Sequence, residues 1–179
     1  NGIKPIIGCD VWVANDSNRD QPFRLLLLVA NSRGYRQLCE LLSRAYRTNM
    51  HRGKALLQRD WLRETEGLIA LSGGASGDIG AALLQDNTSL AARCAHAWIS
   101  DFPGRFYLEI QRCGAPDEAR WVERTLDLAS ELAIPVVATH PVQFAAADDY
   151  TAHEARGSPS HGRATLPALT QRPRGVRFT

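Results

Sequence analysis

The chain has 179 residues, a formal net charge of +2, and 44% apolar against 22% charged residues. That balance suits a folded domain with its own core and excludes a collagen-like or low-complexity chain. With so small a net charge, a strong nucleic-acid footprint is not visible from the total. No apolar run approaches the length of a membrane span and no signal-peptide pattern is present. Cys9, Cys39, Cys94 and Cys113 show no C-x-x-C pairing and fall within or beside apolar runs, which predicts buried reduced thiols and a cytosolic setting. The chain opens N-G-I-K-P directly into a strand, and its only methionine is Met50, so it reads as a piece of something longer.

Ile6 to Val13 reads as a strand, and the L-L-L-L-V run of Leu25 to Val29 as a second, buried on both faces. Asn31 or Ser32 then caps a helix whose Leu38, Leu41, Leu42 and Ala45 follow the helical apolar period. Leu68 to Leu71 is a short strand ending in the turn S-G-G-A-S-G, with a helix after it around Ile79 to Leu84. Asn87 or Thr88 caps a further helix with Leu90, Cys94 and Trp98 on one stripe, closed by Pro103-Gly104. Phe106 to Ile110 is a strand, and Pro116 sits well in the first turn of a helix carrying Trp121, Thr125, Leu128 and Leu132. Ile134 to Thr139 is the last strand. Alternating strands and helices with short connections predict a largely parallel sheet with outer helices, as an open doubly wound sheet or a (βα) barrel. Residues 157–179 hold three prolines, four arginines and no acid, and read as a disordered basic tail.

Candidate chemistry is sparse. The S-G-G-A-S-G-D-I-G turn (72–80) lies between strand and helix and has the placement of a phosphate cradle, but it matches neither the P-loop nor the dinucleotide fingerprint, and a tight turn explains it equally well. Asp10 is a carboxylate inside an apolar strand, where such a group needs a metal or an arginine as partner. His140 stands at the end of the last strand with no carboxylate at ligand spacing in an apolar frame. His51, His96, His153 and His161 read as surface or partly buried groups, and Asp148, Asp149 and Glu154 as a solvated helix start. The arginines between Arg44 and Arg52 read as a solvated helix face, with a nucleic-acid-binding module acting through them and the basic tail as the rival that steep salt dependence would reveal.

The order of motifs carries more. G-I-K-P-I-I-G-C-D-V-W-V, L-L-L-L-V-A-N-S-R-G-Y-R-Q-L-C-E-L-L-S-R-A-Y, G-L-I-A-L-S-G-G, F-P-G-R-F-Y-L-E-I-Q-R and I-P-V-V-A-T-H-P-V-Q-F, followed by A-H-E-A-R, occur in sequence. Together they resemble the PHP (polymerase and histidinol phosphatase) domain of bacterial replicative DNA polymerase III alpha subunits, the proteobacterial type in particular. The resemblance covers residues 1–156 and implies an α/β fold: an incomplete, distorted (βα)7 barrel of parallel strands with outer helices, its first βα elements missing. Residues 157–179 depart from the family in a way that out-of-frame translation would produce.

In members that keep their metals, the resemblance implies a cluster of histidines, carboxylates and a cysteine at the C-terminal strand ends, serving phosphate-ester hydrolysis. Five of those ligand positions fall within this sequence. Asp10 stands for the glutamate, Arg24 for a histidine and Gly74 for the cysteine. In the N-D-x-H motif Pro141 stands for the aspartate and Gln143 for the histidine, while His140 takes the non-ligand asparagine place. The set is expected to be a vestigial metal site with no catalytic or metal-binding residue, in which Arg24 pairs with Asp10. The resemblance further implies a scaffold that braces the rest of the polymerase alpha subunit and docks the proofreading exonuclease subunit. DNA would be met only through the intact holoenzyme, in the cytoplasm, with no membrane partner. No cofactor is expected here, the Mg²⁺ of the parent nucleotidyltransferase belonging elsewhere. The enzyme-class alternative is a metal-dependent phosphoesterase or 3′–5′ exonuclease of the PHP superfamily.

Overall fold

A computed structural model describes residues 2–114, 117–142, 145–150 and 152. Two bodies divide the chain, 1–140 and 141–179. Among the described residues all the strands and the four α-helices lie in the first, and the second holds a 3-10 turn at Ala147–Asp149, where the Ala146 N–H donates to the Asp149 carboxylate.

Period-two alternation sets the two faces of the first body. On β1 (Gly8–Val13), Val11 and Val13 are buried; on β2 (Phe23–Val29), Leu25 and Leu27 are buried, and Val11 lies opposite Leu25 across the pair. α1 (Ser32–Thr48) follows, capped by Asn31, whose side chain accepts from the Gly34 N–H at 3.0 Å. Gly34 also allows a close crossing, since a Cβ there would come within 1.8 Å of the Gly67 carbonyl. A short hairpin, β3 (Met50–His51) and β4 (Lys54–Leu57), turns through Arg52 and Gly53, both at positive φ. A 3-10 turn at Arg59–Leu62 leads to β5 (Leu68–Leu71), then α2 (Asp78–Leu84) and α3 (Thr88–Asp101). β6 (Phe106–Gln111), α4 (Glu118–Leu132) and β7 (Val136–Thr139) complete the body.

The sheet order is β3-β4-β1-β2-β5-β6-β7. β4 and β1, β5 and β6, and β6 and β7 pair in parallel; β2 runs against both its neighbours and β3 against β4. Five of the seven strands therefore point one way, the largely parallel sheet expected, with β2 and β3 reversed. The physical reason for the reversal at β2 is local: the nine residues from Ala14 to Pro22 suffice for an antiparallel return, whereas a parallel crossover needs a dozen or more. The end strands β3 and β7 do not pair with each other, so the sheet is open.

One apolar cluster joins the Val11, Leu25, Leu27, Ala70, Phe106 and Leu108 side of the sheet to residues from all four helices, among them Leu41, Leu83, Trp98 and Leu128. Helices thus cover one face, which departs from a doubly wound sheet. On α3 the fully buried residues are Ala91, Ala95 and Trp98, with Leu90 and Cys94 half-buried beside them. Cys39 and Cys113 are exposed and Cys9 and Cys94 half-buried, all as free thiols, which corrects the expectation of four buried cysteines. Cys39 lies one residue past the core stripe of α1, and Cys113 in the loop after β6. Pro116, His153, His161 and the tail of 157–179 lie outside the described residues.

Candidate functional site

The opposite face of the sheet carries the polar side chains. Asp10 on β1 and Arg24 on β2 are diagonal neighbours across an antiparallel pair, since Asp10 lies opposite Leu26 and Arg24 opposite Trp12. Because β2 is reversed, its first residues stand level with the C-terminal ends of β1, β5, β6 and β7, where α/β folds gather their functional groups.

Arg24 is the hub. Its Nε lies 2.7 Å from Asp10 Oδ1 and its Nη1 2.9 Å from Glu109 Oε2. Glu109, at the centre of β6, is fully buried at 0% exposure, while Asp10 is largely solvent-facing. Glu109 Oε1 accepts from Thr139 Oγ1 at 2.5 Å and from Gln111 Nε2 at 3.0 Å, and the Glu109 N–H donates to Ser72 Oγ at 2.9 Å. The buried carboxylate is therefore held by a cation, a hydroxyl and an amide, which is what a buried charge requires. Burial alone would lower the pKa of the Arg24 guanidinium, but the Glu109 and Asp10 carboxylates outweigh it and hold it above its ordinary value.

The glycine-rich turn packs directly over this point. A Cβ on Gly73 would come within 2.0 Å of the Arg24 carbonyl, and one on Gly77 within 1.8 Å of the Ser72 carbonyl. Gly73 and Gly74 are both at positive φ. These glycines serve close backbone approach and a left-handed turn. At Gly74 a Cβ would make ordinary contact with Trp121, with Arg24 Nη1 and with the Gln111 side chain, 3.8 to 3.9 Å away.

The sequence-selected positions thus separate. Asp10, Arg24 and Gly74 converge, and the Arg24–Asp10 pair has the geometry expected of it. Pro141 belongs to the second body, and Gln143 lies outside the described residues. His140 is exposed at the end of β7, its Nδ1 3.7 Å from the Cys113 thiol. Glu109, Gln111 and Thr139 went unread in the sequence, although Glu109 sits mid-strand in F-Y-L-E-I-Q, the same signal that singled out Asp10. Of the other described histidines, His96 is exposed, and His51 is half-buried with its Nε2 2.6 Å from Asp20. That hydrogen bond, with help from Arg52, holds the Asp20 carboxyl below its usual range.

A PHP domain model matches residues 1–113. The chain belongs to the PHP domain family. The PHP chain is 42% identical over 164 residues to a DNA polymerase III subunit alpha of Pseudomonas fluorescens, covering 91% of this chain and 14% of that protein. Against the DNA polymerase III subunit alpha of Escherichia coli (strain K12) it is 42% identical over 156 residues, 87% of this chain and 13% of the other. Against that of Neisseria meningitidis (strain MC58) it is 43% identical over 163 residues, 87% and 14% respectively. The chain spans about one-seventh of the length of these relatives.

The metals that some PHP domains carry can be tested against this site. The place between the Asp10 and Glu109 carboxylates is filled by the Arg24 guanidinium, which donates to both. Arginine stays protonated and offers no lone pair, so this set of side chains does not fit a divalent cation. No helix among the described residues is long and apolar enough to cross a membrane.

Proposed function

We propose that the chain is PHP-domain sequence of a replicative DNA polymerase alpha subunit and acts as a catalytically inert scaffold within it. The observation that carries this reading is Arg24 bridging Asp10 and Glu109, a fixed internal cation that stands, like Asp10, at a position the family resemblance associates with a metal ligand. Asp10, Arg24, Gly74, Pro141 and Gln143 are on this reading vestigial, and the open seven-stranded sheet is part of a distorted PHP barrel formed by residues 1–156. The intact parent would be a cytoplasmic, Mg²⁺-dependent, template-directed nucleotidyltransferase, and this portion would brace it and dock its proofreading exonuclease. The names and identity of the relatives support the parent; the ion-pair network supports the inert role.

Metal analysis of the purified chain after equilibration with Mn²⁺ and Zn²⁺, paired with a 3′-labelled oligonucleotide assay, tests the inert role. Substoichiometric metal and no chelator-sensitive cleavage are expected. One or more equivalents of tightly held metal together with nuclease activity abolished by chelator would establish the phosphoesterase reading in its place.

A further inference from the structure

Helix α1 has a second apolar stripe that the fold leaves uncovered. Its core side is Gly34, Leu38, Leu41 and Ala45. Tyr35, Cys39, Leu42 and Tyr46 repeat at the same spacing one residue later, about 100° round the helix. Leu42 packs against the edge of the core, but Tyr35 is 49% exposed, Tyr46 65% exposed and Cys39 exposed. Met50, just beyond the helix, is exposed as well. The 4-3-4 spacing is that of a helix–helix seam, and it runs roughly 17 Å along the axis.

Charge identifies what fits this seam. α1 carries Arg33, Arg36, Arg44 and Arg47 against Glu40 alone. Arg33 pairs with Glu66, and Arg44 stacks on Trp61 with its guanidinium 4.0 Å from the ring centroid. Among the described residues Arg36 and Arg47, which border the seam, have no acidic partner. We propose that this face of α1 docks an amphipathic helix of another polypeptide whose apolar stripe is flanked by acidic residues. A second copy of α1 would set arginine against arginine, so self-pairing is disfavoured. Nucleic acid fits less well, because the two tyrosines stand far apart along the helix with Cys39 and Leu42 between them, and no row of stacking rings is formed. The inference does not rest on the inert site, and the two fail separately.

Cys39 supplies the test from inside the seam. In the full chain carrying Cys113→Ser it is the exposed thiol, while burial raises the pKa of Cys9 and takes that of Cys94 up to about 11, so a spin label goes to Cys39. The probes are a three-heptad helical peptide with leucine at the seam and glutamate at its flanks, and its lysine-flanked counterpart. The glutamate peptide is expected to immobilise the label and to bind at least about tenfold more tightly than the lysine peptide. Arg36→Glu with Arg47→Glu should invert that preference, and Tyr46→Ala should weaken binding by about tenfold. A label that neither peptide immobilises, or a preference that survives the charge reversal, overturns the proposal. So does immobilisation by a single-stranded oligonucleotide but not by the acidic peptide, or by raising the concentration of the chain alone.

Discussion

Arg24 and Glu109 stand 85 residues apart in sequence, and each depends on the other for its place in a partly buried site. Removing the arginine leaves a carboxylate at 0% exposure without its cation, a situation that typically costs about 3 kcal/mol or more. Arg24→Met is therefore expected to lower the melting temperature by roughly 6–12 °C, whereas Arg24→Met with Glu109→Gln should recover most of that loss. A double-mutant cycle by thermal or urea unfolding reads the coupling; additive single effects would show that the two side chains do not act as a pair. The Asp10–Arg24 half of the network was legible in the sequence, because an acid inside an apolar strand and an arginine opening another stood at matching motif positions. The Glu109 half was not. Nothing local in F-Y-L-E-I-Q tells which strand will bring the cation.

At the level of elements, the helices were legible from caps and periods. Asn31 and Asn87 accept the expected backbone N–H groups, from Gly34 and Leu90. Strand direction was not legible, since a period of two reads the same both ways, and the β3–β4 hairpin was too short to show a period. Contacts between elements were hidden too. Asp78 at the start of α2 accepts from the Trp98 indole of α3, and burial pushes its pKa up despite that hydrogen bond. A carboxyl whose folded pKa is raised supports the fold most fully below its unfolded pKa near 4, and that support is lost as pH rises through the folded value. Asp78→Asn retains an acceptor for Trp98 and cannot ionise. Relative to the parent chain, the variant is expected to gain stability between pH 4 and pH 7 in denaturant melts. A constant difference across that range would mean that Asp78 carries no buried-charge cost.

For the molecule as a whole, the α/β class and the alternation of elements followed from the sequence, and an open sheet was one of the arrangements it allowed, but sheet order did not follow, because it depends on pairings far apart along the chain. Openness has a measurable consequence. Among the described residues β7 pairs with β6 alone, and its Ala138 is exposed. An edge of this kind recruits further strands, and a lysine on it opposes that. Sedimentation of the isolated chain is expected to show concentration-dependent association that Ala138→Lys reduces. Association unchanged by that substitution would point away from this edge.

The bridge made by Arg24 also bears on evolutionary reversibility. On the proposed reading of a vestigial metal centre, a lineage returning to metal chemistry would have to give up that arginine, and Glu109 would then lose its buried counter-ion while Gly74 still offers no thiolate. A lone carboxylate or two hold a divalent ion poorly, so no gain in catalysis offsets the lost stability at that step. On that reading the step that removes Arg24 begins with a loss of stability, and the bridge acts as a ratchet.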